Sequence, residues 1–156
     1  MVSHHHPTTA PPALTRLAVS ATLHCLTGCA IGEVLGLVLA SWWGWSTAPS
    51  IVLAIVLAFL FGYALTIWPV LRSGMSFRSA VKIALAADTL SILTMEIVDN
   101  LIILVIPGAM DAGLTSLLFW GTLAAALAIA FVVTVPVNRA LIARGKGHAV
   151  VHGHHH

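Results

Sequence analysis

The chain has 156 residues, of which 59% are hydrophobic and 8% charged, with a formal net charge of +2. Soluble domains carry about 25% charged residues, so this composition excludes a water-covered globule and points to outer faces that meet lipid. The mean hydropathy of +1.00 agrees.

Residues 1–12 contain His4, His5, His6 and three prolines and read as a disordered tail. Four apolar stretches follow, at roughly 14–41, 50–71, 78–106 and 111–137. Each reaches the length of about 20 residues that a spanning helix needs. The first is too long for a signal peptide and has no small-residue cleavage pattern. The expected fold is therefore all-α: a polytopic four-helix transmembrane bundle occupying residues 13–144 as one domain. A second tail, 145–156, holds His148, His152, His154, His155 and His156. Both histidine runs are of a kind that gathers transition metals, or they are plain soluble ends.

Orientation is read from the basic residues. Arg16 precedes helix one, Arg72, Arg78 and Lys82 flank the second connection, and Arg139, Arg144 and Lys146 follow helix four. The first and third connections contain no Lys or Arg. The positive-inside rule places all seven on the cytoplasmic side, with both termini. Topology thus accounts for the basic residues, and no nucleic-acid partner is expected. Trp42, Trp43, Trp45, Trp68 and Trp120 fall near helix ends, where aromatic rings anchor at headgroup depth. Pro107-Gly108 is expected to stop helix three, and Asp111 to cap helix four.

Helix one carries the string His24-Cys25-Leu26-Thr27-Gly28-Cys29-Ala30-Ile31-Gly32-Glu33. Residues four apart share a helical face, so Cys25, Cys29 and Glu33 form one ladder with rungs about 6 Å apart. Gly28, Gly32 and Gly36 form an adjacent ladder that admits another backbone. Helix three carries Asp88, Ser91, Thr94, Met95, Glu96, Asp99 and Asn100. Helices one and three run in the same direction, and Glu33 and Asp99 both lie about 12 Å below the outer end. Packed together, the two helices place sulfur from Cys25, Cys29 and Met95 beneath oxygen from Glu33, Glu96 and Asp99. Asp88, Ser91, Thr94 and Asn100 extend this polar path.

Each carboxylate at the bilayer centre costs about 2.5–3.5 kcal/mol on insertion scales. No lysine or arginine lies deep in any helix to offset that. The acids must therefore be protonated or bind a cation from solution. Thiolate, thioether and imidazole suit Cu(I) or Zn, whereas carboxylates suit harder ions. His24, Cys25, Cys29, Glu33, Met95, Glu96 and Asp99 are the candidate metal ligands.

The helix-one string, together with Thr94-Met95-Glu96-Ile97-Val98-Asp99-Asn100, resembles a bacterial family of small four-helix inner-membrane proteins catalogued as a domain of unknown function. The resemblance covers nearly all of the spanning region and implies a membrane domain loosely associated with copper-handling neighbours. It supplies no activity.

Three functions compete at this level. The first is binding or transport of a transition-metal cation, copper above all, by a homo-oligomer in the bilayer. The second is thiol redox chemistry at Cys25 and Cys29, or haem binding through His24, which needs a second axial ligand from a symmetric dimer. The third is a noncatalytic assembly subunit. No nucleotide-binding signature is present, and an enzyme is the less favoured reading.

Overall fold

A computed structural model describes residues 11–109 and 111–144, side chains from Ala13. The histidines of both tails fall outside these residues. Four helices are present among the described residues: α1 (Pro11–Trp42), α2 (Thr47–Arg72), α3 (Phe77–Val105) and α4 (Leu117–Ala143). There is no strand among them.

Successive helices pack antiparallel into a ring. α1 lies on α2 and α4, α3 lies on α2 and α4, and α1 meets α3 across the middle. The ends of α2, α4 and the start of α1 and α3 therefore share one end of the bundle. Because every described lysine and arginine lies there, it is called the basic end below. The opposite, far end carries the α1–α2 and α3–α4 connections.

Three helices are long and apolar enough to cross a membrane: α1, α2 and α4. α3 is equally long, but Asp88, Glu96 and Asp99 interrupt its apolar character. Those acids are buried, while Leu90, Leu93, Ile97, Leu101 and Leu104 point outward and are 44–60% exposed. In water such a helix would be inside out, since amphipathic helices turn their apolar stripe to the core. A lipid surround makes the arrangement favourable: hydrocarbon covers the leucines and the bundle shelters the acids.

The tightest packing is between α1 and α2. A Cβ added at Gly28 would lie 2.7 Å from the Gly62 Cα, and one at Gly36 would lie 2.6 Å from the Ala54 Cα. At Gly32 it would run into the backbone of Leu57 and Ala58. The glycine ladder thus faces α2, and the Cys25-Cys29-Glu33 ladder is free to face the interior. There Cys25, Cys29, Ala58, Ile92, Met95 and Ala130 form the central buried cluster.

Helix bounds differ from the sequence expectation in α1, α2 and α4; α2 begins at Thr47 instead of Ser50. α1 begins at Pro11 instead of Leu14, because proline lacks only an N–H that the first turn leaves unused. α4 runs from Leu117 to Ala143 instead of 111–137. Its N-cap is Ser116, whose hydroxyl accepts from the Leu118 N–H at 3.2 Å; Asp111 does not cap it. Gly108 turns the chain at φ +80°, and residues 111–116 stay in the loop. The Trp120 indole donates to the Leu114 carbonyl at 2.7 Å and pins that loop to α4. At the other end, Pro136 sits inside α4 without ending it, so Asn138 is helical and faces inward.

Candidate functional site

The polar residues of α1 and α3 meet along the bundle axis. At the level nearest the far end, the Glu33 and Asp99 carboxyls face one another. Next comes Glu96, close to Asp99 above and to the Cys29 thiol below. Cys29 in turn contacts Cys25 one turn down. Met95 and Ile92 complete this sulfur-rich level. Glu33, Glu96, Asp99, Cys25, Cys29 and Met95 are all buried, at 4% exposure or less. Both cysteines are free thiols.

The carboxyls have little to hold them. Glu33 Oε2, Glu96 Oε2 and both Asp99 oxygens are buried and make no hydrogen bond. The side-chain amide of Asn100 donates to the Glu96 backbone carbonyl at 2.8 Å. An unsatisfied buried polar group costs about 1–3 kcal/mol, more if charged. Four such oxygens lie along one stretch of the bundle axis.

A cavity of about 240 Å³ reaches this centre. It runs from the far-end loops, at Trp45 and Leu114, between the four helices to a floor of Glu33, Asp99 and Asn100. Leu37, Ile103 and Phe119 wall it. Below the sulfur level, toward the basic end, Ser91, Asn138 and Thr22 are buried. The helices are tied together there. Ser91 donates to the Asn138 side-chain carbonyl, and the Asn138 amide donates to the Thr22 hydroxyl at 2.8 Å. Thr22 donates onward to the Ala18 carbonyl at 2.7 Å. This clamp joins α3, α4 and α1 in one buried network.

The remaining candidates are placed as follows. Asp88 is buried, one turn toward the basic end from Ser91. Thr94 is half-buried and its hydroxyl is spent on the Leu90 carbonyl at 2.7 Å, so it adds nothing to the path. Thr89 lies on an exposed face and bonds Tyr63 at 2.7 Å. His24 is half-buried beside Cys25 in sequence. Among the described residues, no three His, Cys, Asp or Glu side chains converge as a ready-formed metal site. The ligand types are contiguous, but they are stacked along an axis instead of gathered at a point.

Sequence reasoning missed Thr22, Thr134 and Asn138. All three are buried, and the Thr134 hydroxyl also lacks a partner. The four-residue spacing of Thr134 and Asn138 was the available signal; Pro136 and Arg139 obscured it by suggesting a helix end.

Comparison with curated proteins and with solved structures yields no match. Residues 16–147 match the family described as a domain of unknown function, DUF4396, and the chain belongs to that family.

Proposed function

We propose that this chain is an integral membrane protein that binds or transports a transition-metal cation through the interior of its four-helix bundle, with α3 as the fourth span. The observation that carries this reading is the set of buried carboxyls of Glu33 and Asp99 at the floor of a cavity, with Glu96 just beneath, stacked on Cys25, Cys29 and Met95 and with four of their oxygens making no hydrogen bond. Uncompensated acids in hydrocarbon are costly and mark ion or proton routes. Thiol and thioether beneath them favour a soft or borderline metal, Cu(I) or Zn. Metal ligation requires deprotonated ligands, so binding releases protons and couples the metal to pH. The stacked ligands suit passage from one level to the next better than permanent capture in a closed cage. By the positive-inside rule the basic end is cytoplasmic and the cavity faces outward.

Flux into proteoliposomes tests the proposal. The parent protein is expected to raise Zn²⁺ or Cu(I) entry well above that of protein-free vesicles. The triple variant Glu33→Gln, Glu96→Gln, Asp99→Asn is expected to return it to the protein-free level while still reconstituting. Equal flux in parent and variant would make the acids structural.

A further inference from the structure

The cavity and the sulfur level are different chemical environments, and the cavity is met first from the far end. Its polar floor is made of oxygen and amide groups: the carboxyls of Glu33 and Asp99, with Asn100 beside them. Among the described residues no sulfur lines it. Glu33 and Asp99 are more than nine-tenths buried, and three of their oxygens make no hydrogen bond. The mouth adds the hydroxyl-bearing residues Ser41, Thr47 and Ser50.

Size separates this site from a bare-ion cage. At about 30 Å³ per water, six waters occupy about 180 Å³, and the cavity holds about 240 Å³. The space therefore accommodates a divalent cation with its inner hydration shell. Hard cations of this kind take oxygen ligands and give up water reluctantly, so they are held through one or two carboxylates plus retained waters. Two facing carboxylates supply two negative charges against the ion's two positive charges.

We infer that the outer vestibule is a binding site of its own, holding a hydrated divalent cation on the Glu33 and Asp99 carboxylates ahead of the thiols. This rests on the cation reading above for a divalent ion such as Zn²⁺ and assigns its first station: charge and hydration are selected at the oxygen floor, and softness one level deeper, at Cys29 and Cys25. The oxygen station does not need the sulfur station in order to fill.

Mn²⁺ is the probe, because the aqua ion's magnetic resonance signal at room temperature is lost on binding. The full-length protein is titrated in detergent with its tail histidines replaced by serine. The parent is expected to bind one Mn²⁺ per chain, and the Cys25→Ser, Cys29→Ser variant to bind it with unchanged affinity. Glu33→Gln with Asp99→Asn is expected to weaken binding at least tenfold. Should that variant fail to fold, Leu37→Trp fills the vestibule with both carboxyls intact and is expected to weaken Mn²⁺ binding to the same degree. The inference is overturned if the parent binds no Mn²⁺, if binding survives removal of the carboxylates or filling of the vestibule, or if it disappears with the thiols. Flux failing while carboxylate-dependent Mn²⁺ binding persists would refute transport and leave this site standing.

Discussion

Gly32→Leu is expected to prevent the bundle from assembling. The position for a new Cβ coincides with the α2 backbone at Leu57 and Ala58, and backbone cannot step aside as a flexible side chain can. The helices would have to separate along the whole contact, including Gly28 against Gly62 and Gly36 against Ala54. Overpacking of a soluble core costs about 1–3 kcal/mol, occasionally more. In a bilayer the effect is larger relative to the total, because close van der Waals packing is itself the main attraction between apolar helices. Size-exclusion chromatography and thermal aggregation in detergent are the readouts, and the variant should aggregate or elute as a broad, low-yield species. Gly121→Leu is the control: a Cβ there meets nothing within 4 Å, and the variant should behave like the parent. A monodisperse Gly32→Leu protein with the parent's melting temperature would show that the α1–α2 approach is not required.

The second large effect is expected at the thiols. Cys25→Ser with Cys29→Ser replaces two buried sulfurs by slightly smaller hydroxyls in the centre of the bundle. Each serine can donate to the carbonyl four residues earlier, as Thr22 and Thr27 already do at 2.7 and 2.8 Å. Folding should therefore survive, while the soft ligands are lost. Ligand binding to the native state alone stabilises it by RT ln(1 + [L]/Kd), about 2.7 kcal/mol at a hundredfold excess over Kd. Cu(I), which the thiols and not the oxygen floor select, should raise the parent's melting temperature by several degrees and leave that of the double variant unmoved. An equal upward shift in both proteins would remove the cysteines from the metal site.

Much of this architecture is legible in the sequence because the bilayer imposes simple constraints. Helix number follows from apolar length, and the common end of the basic residues follows from where the chain turns. The four-residue ladder on α1 separates a glycine face from a thiol–carboxyl face, and in the structure these turn toward α2 and the interior respectively. Counting depth from the far end brings Glu33 level with Asp99, and the two carboxyls do face each other.

What was not legible depends on tertiary placement. The α3–α4 loop is longer than composition suggests, because Ser116 and not Asp111 caps α4. The same shift extends α4 beyond residue 137, so Asn138 lies inside the bundle, where it clamps Ser91 and Thr22. The cavity is equally invisible from one helix at a time, since its walls come from all four helices and both far-end loops. Thr94 shows the reverse case. Its spacing places it near the acids, but its hydroxyl bonds its own helix.

The cavity lies above the oxygen floor, the thiols lie one level beneath, and toward the basic end the Thr22–Asn138–Ser91 network ties three different helices together.

Metal content is the most direct test that the bundle interior holds a transition-metal cation. Full-length protein with its eight tail histidines replaced by serine retains His24 as its ninth histidine, so the tails cannot supply the signal. It is incubated with excess Zn²⁺ or Cu(I), desalted and subjected to elemental analysis. About one metal ion per chain is predicted, falling to background when Cys25, Cys29, Glu33, Glu96 and Asp99 are replaced together by Ser, Ser, Gln, Gln and Asn. Background metal in folded, tail-substituted protein would contradict the account.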